Sequence, residues 1–264
     1  MSNYLKSHLS SDTLIYYEEN AFEFLRLECI ILPEECPMRF EDLSWFDIEK
    51  YLQVEKRLIL VLGACEQHGY LSVMCDTKIP LALADAACQQ TGVLVAPVMN
   101  FGISPYFMEY PGTLSLRSST YLDVVEDLVS SAYHHGFTRI LVLSGHGGND
   151  PARSRIYEVT NKLPDLLIAW YAWWQARSVE SVAIKYNLRS FHAAWIEAFP
   201  FTRVGDLPEG EKIPPRIPGL INAKLARELY QDGVFGGPYQ VDDAIMTEIF
   251  NAALDDILQL LKFE

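Results

Sequence analysis

Four runs of apolar residues predict buried strands, at positions 58–63, 93–98, 139–143 and 166–173. The runs are almost continuously apolar, as is typical of parallel strands covered on both faces, and do not alternate like strands with one wet face. Helical patterns lie between them, at 78–90 and in the segment that begins with 118–120. This order predicts βαβ units and therefore an α/β fold around a mostly parallel sheet.

The N-terminal part of the chain does not follow this pattern. Residues 1–36 carry scattered apolar content, and a Pro-rich break follows at 33–37. We therefore predict an N-terminal extension, residues 1–36, packed on a single domain formed by residues 37–264. In that domain we also expect a helix with Ser44 as N-cap, a long functional loop at 100–116, and helices at 222–229 and 242–261.

Polar residues of metal-ligand type follow two of the predicted strands. Glu66, His68 and Asp76 follow the first strand, and His146 follows the third. The carboxyl ends of parallel strands meet at one edge of the sheet, where ligands bind in α/β folds. Carboxylate oxygens with imidazole nitrogens suit Zn²⁺, Mn²⁺ or Fe²⁺, and a bridging aspartate can hold two ions about 3.5–4 Å apart that share one hydroxide. The pattern indicates hydrolytic chemistry.

Purely structural roles remain open for the same residues. Glu66 could cap a turn, His68 could be a hydrogen-bonded core histidine, and Asp76 could cap the following helix. A thiol hydrolase using Cys65 with His68 as base is a further alternative, but it requires an orienting third group that the sequence does not supply.

Several other residues are candidates for a substrate site. Gly147 and Gly148, directly after His146, allow the backbone to approach a ligand closely. Trp174 could line a pocket or pack in the core, and Tyr110 could form a wall of the site or simply close its loop. The adjacent His134 and His135 fit a helix C-terminus better than a metal site, because neighbouring side chains diverge.

Composition excludes several classes of partner. The 264 residues include 35 acidic and 21 basic ones, a formal charge of −14, which argues against binding nucleic acid or anionic membranes. No apolar run approaches the roughly 20 residues of a membrane helix, and the N-terminus lacks the apolar core of a signal peptide. Five cysteines without a CxxC pair favour reduced thiols, so we expect a cytoplasmic protein.

Four ordered motifs resemble the creatininase (creatinine amidohydrolase) family, from roughly residue 38 to the end. They are Glu66-Gln67-His68-Gly69 followed by Asp76-Thr77; Tyr110-Pro111-Gly112-Thr113-Leu114-Ser115-Leu116; Gly145-His146-Gly147-Gly148-Asn149; and, more loosely, His192-Ala193 with Glu197. The resemblance implies a three-layer αβα sandwich and a binuclear metal centre that hydrolyses cyclic amides or other non-peptide C–N bonds.

The resemblance also implies roles for individual residues. The implied metal ligands are Glu66, His68, Asp76, His146 and Glu197, with Asp76 as the bridge and Glu197 standing in for a family glutamate whose place is taken by Gly148. His192 resembles the family's acid/base histidine, and Tyr110, Trp174, Gly147 and Gly148 become substrate-binding candidates. We expect two divalent ions per chain, Zn²⁺ first and Mn²⁺ or Fe²⁺ also accepted, and a homo-oligomer, a hexamer by resemblance.

Three departures from the family pattern bear on the substrate. Apolar residues occupy the segment around Leu71, Phe107 replaces a loop histidine, and Trp195 replaces a glutamate. These changes argue against creatinine itself. We predict a metal-dependent amidohydrolase acting on a small cyclic amide or formamide. The alternatives are a formamide hydrolase of nucleotide or cofactor biosynthesis and a catalytically degenerate metal-binding member.

Overall fold

A four-stranded parallel sheet forms the centre of the domain in the computed structural model, which describes residues 38–217 and 219–264. Its strands are β1 (Arg57–Leu62), β2 (Leu94–Val95), β3 (Arg139–Ser144) and β4 (Leu167–Ala172), in the spatial order β2-β1-β3-β4. β3 pairs with β1 from Arg57↔Arg139 to Leu62↔Ser144, so both strands end at the same level. The predicted parallel sheet is confirmed.

Seven α-helices accompany the sheet in the described part of the chain. They are α1 (Trp45–Val54), α2 (Cys75–Thr91), α3 (Ser118–His134), α4 (Ala152–Thr160), α5 (Arg177–Lys185), α6 (Ala223–Tyr230) and α7 (Asp243–Leu260). Short 3-10 turns occur at Phe40–Asp42, Pro105–Phe107, Gly147–Asn149, Trp173–Gln175 and Trp195–Glu197, and a small antiparallel pair joins β5 (Glu211–Lys212) to β6 (Gly237–Pro238).

The central strands divide their side chains between two cores. Ile59 and Val61 of β1 face a core formed with α2, α5 and α7, whereas Leu58, Leu60 and Leu62 face a second core formed with α1, α3 and α4. Each fully buried side chain of this size contributes about 1.5–3 kcal/mol to folding. Helices on both faces of one sheet make the three-layer αβα sandwich, as predicted.

Two element boundaries differ from the sequence prediction. The strand expected at 93–98 is regular only over Leu94–Val95, although the Ala96 and Met99 N–H groups still donate to the Ile59 and Val61 carbonyls of β1. The helix expected from residue 78 begins at Cys75, which places Asp76 in its first turn and Pro80 in its interior. The missing N–H of Pro80 leaves the Asp76 carbonyl without its helical hydrogen bond.

The predicted starts of three other helices, α1, α6 and α7, agree with the structure. Ser44 precedes α1, and its backbone N–H donates to the Asp47 carboxylate at 3.0 Å. Asn222 caps α6 by accepting a hydrogen bond from the Leu225 N–H at 2.9 Å, and Asp242 caps α7. The side chains of Asn222 and Asp242 each satisfy an N–H group that a helix leaves unpaired at its first turn.

The predicted extension, residues 1–36, lies outside the described residues, and its packing on the domain stays a prediction. Within the described ranges, none of the helices combines the length and the apolar character that crossing a bilayer requires.

Candidate metal centre

Five acidic and histidine side chains from separate parts of the chain meet at the carboxyl edge of the sheet. Each of the five is less than a tenth exposed. Glu66 and His68 follow β1, Asp76 lies in the first turn of α2, His146 follows β3, and Glu197 ends the Trp195–Glu197 turn. All five were predicted as metal ligands.

The five side chains form two triads that share Asp76. The first triad is Glu66, Asp76 and His146, and the second is His68, Asp76 and Glu197; within each, the potential ligand atoms lie within 4.8 Å of one another. Asp76 Oδ2 is 3.0 Å from His146 Nδ1, and Asp76 Oδ1 is 3.1 Å from His68 Nε2. Each oxygen of one carboxylate therefore faces a different triad.

The outer members of the triads lie slightly farther apart. Glu66 Oε1 is 3.5 Å from His146 Nδ1, and Glu197 Oε1 is 3.6 Å from His68 Nε2. Such spacings leave room for a cation between the ligand atoms. Glu66, His68 and His192 form a third possible group, in which His192 Nδ1 lies 3.8 Å from Glu66 Oε1.

Both histidines of the triads are held by hydrogen bonds on the nitrogen that faces away from the other triad members. His146 Nε2 lies 2.9 Å from the Ile103 carbonyl and 3.2 Å from Ser104 Oγ. His68 Nδ1 lies 3.1 Å from the Glu66 carbonyl. A carbonyl on one ring nitrogen fixes the hydrogen there and leaves the other nitrogen free to bind a cation.

The donor set fits divalent cations. Glu66 Oε2 and Asp76 Oδ2 are buried without a hydrogen bond of good geometry, although His146 Nδ1 lies close to the second. Among the described residues that line the cavity, none is a lysine or an arginine. Buried carboxylates are costly unless they are paired or bind a metal. Turn-capping therefore does not account for Glu66, and the buried carboxylate oxygen is free to bind a cation.

In the metal-free protein, bound protons compensate part of the negative charge of the buried carboxylates. Burial alone would lower the pKa of His146, but the Asp76 and Glu66 carboxylates raise it to about 9. Burial likewise opposes the charged form of His68, yet Asp76 raises its pKa well above the usual value. Burial raises the pKa of Glu66 to about 7. Metal binding must displace these protons.

A cavity of about 330 Å³ opens on the triads. Eight residues predicted for the site line it: Glu66, Asp76, His146 and Glu197 of the triads, together with His192, Trp174, Gly147 and Gly148. Its other walls come from Tyr106, Phe107, Gly145, Ser190, Phe191, Ile196 and Phe235. Trp173, by contrast, is buried in the core, so the two neighbouring tryptophans divide between core and cavity.

Tyr110 is not among the residues that line this cavity, which corrects its predicted position. Its ring packs behind Phe107, with centroids 6.1 Å apart, and under the Arg227 guanidinium at 4.6 Å. The same loop instead contributes Tyr106 and Phe107 to the cavity wall.

Of the three departures noted in the sequence, only Phe107 reaches the cavity. Its ring stacks on His192, with centroids 4.8 Å apart and an interplanar angle of 14°. Leu71 and Trp195 belong to the core instead, and Trp195 Nε1 donates to the Arg189 carbonyl at 2.9 Å. Neither residue lines the cavity.

The sequence analysis missed the wall contributed by Phe191, Ile196 and Phe235. The glycines at 233, 236 and 237 signal a tight turn around Phe235, but nothing in the local pattern indicates that the turn reaches the two triads.

Cys65 is not placed for its alternative role as a nucleophile, because its thiol lies 3.3 Å from the Gly112 carbonyl and does not line the cavity. A thiol hydrolase is not supported.

Comparison with known proteins agrees with this geometry. The family model for creatinine amidohydrolase matches residues 41–261. Creatinine amidohydrolase of Pseudomonas putida is 30% identical over 115 residues, 41% of this chain and 44% of the relative. For 3-dehydro-scyllo-inosose hydrolase of Thermotoga maritima the identity is 26% over 110 residues, 41% of this chain and 35% of the relative. The matches thus span less than half the length of these relatives.

Solved structures extend the likeness over nearly the whole domain. A structure described as "Creatininase Mn" has a TM-score of 0.73 at 18% identity and covers 86% of this chain and 98% of its own. One of creatinine amidohydrolase (creatininase) has a TM-score of 0.70 at 20% identity, covering 84% and 96%. At such identities the likeness concerns the fold. With the family model matched over most of its length, the chain belongs to the creatininase family.

Proposed function

We propose that this protein is a hydrolase that uses two divalent metal ions to cleave a non-peptide C–N bond of a small amide. The observation that carries the proposal is the position of Asp76, whose two carboxylate oxygens face His146 and His68 at 3.0 and 3.1 Å. A carboxylate shared between two ligand sets is the expected arrangement for a pair of ions about 3.5–4 Å apart.

The chain supplies a complete set of ligands for both ions. Glu66 and His146 would hold one ion, His68 and Glu197 the other, and Asp76 would bridge them. Two ions bound there supply Lewis-acid activation of water and of the scissile carbonyl. In the described part of the chain, the three carboxylates are each less than a tenth exposed, so little solvent competes with an ion for them.

His192 is the proposed partner of the substrate's leaving nitrogen. It lines the cavity beside the triads, with Nδ1 3.8 Å from Glu66 Oε1. Burial, together with the neighbouring charge of His68, lowers its pKa to about 4, so its imidazole is neutral near neutral pH. A neutral ring that faces the reacting atoms is available for hydrogen bonding or proton exchange.

The cavity supports a small, flat substrate. Its walls are largely aromatic, from Tyr106, Phe107, Trp174, Phe191 and Phe235, and among the described lining residues the charged groups are those of the candidate metal site. Aromatic faces favour planar ligands. The stacking of Phe107 on His192 takes the place of a polar neighbour, which supports a cyclic amide or a formamide more than creatinine itself.

The names of the relatives support hydrolysis more strongly than any one substrate. They include an amidohydrolase, an inosose hydrolase and, from Mycobacterium ulcerans at 29% identity over 102 residues, a mycofactocin precursor peptide peptidase. Among the structures similar in fold, one is described with manganese and one as "Zn-Zn type". We propose zinc first, with manganese or iron as alternatives.

The first experiment is elemental analysis of the full chain purified without chelator. Wild type should carry about two metal ions per chain, and His68→Ala should lose most of that load. His134→Ala is the matched control, because His134 is exposed at the end of α3. No metal in the wild type, even after supplementation, would overturn the proposal.

A compound screen then tests the reaction. The metal-loaded protein should release amine from members of a panel of cyclic amides and formamides, and His68→Ala should not. Turnover of formamides alone would favour the formamide hydrolase alternative. Full metal loading without turnover of either class would favour the catalytically degenerate alternative. Sedimentation velocity of the same preparation tests the predicted homo-hexamer.

A further inference from the structure

In the sequence, Gln67 lies between the proposed metal ligands Glu66 and His68. Its side chain, however, contacts the edge of the His192 ring that faces away from the triads. It is almost fully buried, with 5% of its surface exposed. Its Oε1 accepts a hydrogen bond from the Gly69 N–H at 2.9 Å, and its Nε2 donates to the Gly233 carbonyl at 3.0 Å. One donor and one acceptor of the backbone thus fix which end of the amide is oxygen and which is nitrogen.

The amide nitrogen fixed in this way lies 3.0 Å from His192 Nε2. An amide nitrogen only donates, so this contact is a hydrogen bond only if His192 Nε2 carries a lone pair. A neutral imidazole with a lone pair on Nε2 has its hydrogen on Nδ1. Nδ1 is the nitrogen on the side of the metal triads, 3.8 Å from Glu66 Oε1.

Neighbouring residues hold the Gln67 amide and the His192 ring in contact with each other. Phe107 stacks on one face of His192, and the rings of Phe235 and His68 lie 4.8 and 4.6 Å away. The Phe235 N–H also donates to the His192 carbonyl at 3.1 Å. Gly233 has φ of 89°, and a Cβ added there would overlap the Gln67 amide. The segment that carries Gly233 and Phe235 therefore clamps both side chains.

One competing contact exists on the same side. The backbone carbonyl of Gln67 lies 3.3 Å from His192 Nε2 and would accept a hydrogen from that nitrogen. This contact is longer than the 3.0 Å contact with the amide, and it would bring an Nε2 hydrogen against the donating amide. The shorter contact and the fixed orientation of the amide favour the lone pair on Nε2.

We propose that Gln67 is a positioning residue, which holds neutral His192 in the tautomer with its hydrogen on Nδ1, directed at the metal centre. Two consequences follow. First, His192 cannot bind an ion through Nδ1 in this state, so the group of Glu66, His68 and His192 is not a third metal site. Second, and resting on the proposed function, His192 acts as a hydrogen-bond donor to the reacting amide.

The family resemblance implies that His192 acts as an acid/base. The tautomer proposed here restricts it to donating a hydrogen bond. Full transfer of the Nδ1 hydrogen from a neutral ring would leave an imidazolate, which is too basic to form near neutral pH. A hydrogen bond requires no such transfer and can still stabilise negative charge that develops on the substrate. Gln67 thus ensures that the cavity side of His192 presents a donor.

The test is the ¹⁵N NMR spectrum of the histidine rings in the full-length protein at about pH 8, where an ordinary histidine is neutral. Metal-free and zinc-loaded samples are both measured. In the wild type, His192 should show a protonated Nδ1 and an unprotonated Nε2 in both samples. In Gln67→Met, this single pattern should be lost in favour of the hydrogen on Nε2, facing the backbone carbonyl of residue 67.

Gln90→Met is the matched control, since Gln90 is exposed near the end of α2, and it should keep the wild-type pattern. A wild-type His192 protonated on Nε2, or coordinated to zinc through Nδ1, would overturn the inference even if Gln67→Met failed to fold. An unchanged tautomer in a folded Gln67→Met would overturn it as well. Because no readout depends on turnover, failure of the proposed hydrolysis would leave this test intact.

Discussion

The backbone N–H of Ala193 donates a hydrogen bond of 2.6 Å to Oε2 of Glu197. Ala193 has φ of 58°, a left-handed conformation that costs a non-glycine residue about 1–3 kcal/mol. The bond occupies one oxygen of Glu197 and leaves the other, Oε1, 3.6 Å from His68 Nε2. A strained loop thus holds the glutamate with one oxygen directed at the second triad.

Glu197→Gln should lower the metal content from about two ions per chain to about one. Glu197 belongs to only one triad that includes Asp76, and the amide oxygen of glutamine can still accept the bond from Ala193. The checks are elemental analysis and thermal unfolding. Glu180→Gln, an exposed change on α5, should keep the full load. Loss of both ions from Glu197→Gln would contradict this prediction, because it would show that an ion at one position requires an ion at the other.

Asp76→Ala should remove both ions together, because both triads depend on its carboxylate. Isothermal titration with zinc should then detect neither high-affinity site. The control is Asp255→Ala, which removes an exposed carboxylate on α7 and should leave the titration unchanged. If Asp76→Ala kept a full metal load, the bridging role would be wrong.

Metal binding should release protons, so that apparent affinity rises with pH. Asp76 and Glu66 raise the pKa of His146 to about 9 in the metal-free protein, and the pKa of His68 is also raised. Both rings carry protons at neutral pH, and these protons compete with the ions. Affinity should therefore increase as the pH rises from neutral toward about 9, the pKa of His146.

Titration calorimetry at pH 7, in two buffers of different ionisation enthalpy, measures the protons released. The expected value is at least one proton per chain. Identical heats in the two buffers would mean that the histidines are neutral before the metal arrives.

Gly145→Ala should destabilise the protein by about 1–3 kcal/mol or more and lower its metal content. A Cβ at this position would overlap the carbonyl oxygen of Asp76 and press on Pro80, so the first turn of α2 would have to move. Gly205→Ala is the matched control, because Gly205 is exposed and nothing lies within 4 Å of its added Cβ. Urea unfolding compares the two variants, and equal midpoints would contradict this account of the packing.

Most of the candidate metal centre could be predicted from the sequence because the ends of the strands can be recognised in the apolar pattern. Glu66, His68 and His146 each follow an apolar run, and parallel strands bring their carboxyl ends to one edge. Glu197 was found only through the family resemblance, since it lies on a short turn that no periodic pattern marks. Its place depends on the strained Ala193 and on long-range contacts.

The cavity wall was harder to predict for a related physical reason. Tyr110 and Phe235 both lie in loops, where the direction of a side chain is set by tertiary packing instead of a repeating pattern. Phe235 enters the cavity because the Gly233 turn wraps around Gln67. That contact joins residues 166 positions apart, and no local signal encodes it.

The shared ligand Asp76 lies in the first turn of α2, where the interior Pro80 removes the hydrogen bond that would tie the Asp76 carbonyl into the helix. Helix ends fray more readily than helix centres. Fraying of this turn would withdraw Asp76 from both ions in one event. Dissociation of the two ions into a chelator would then follow a single kinetic phase, whose rate is set by the opening of a helix end and not by the chemistry of either ion.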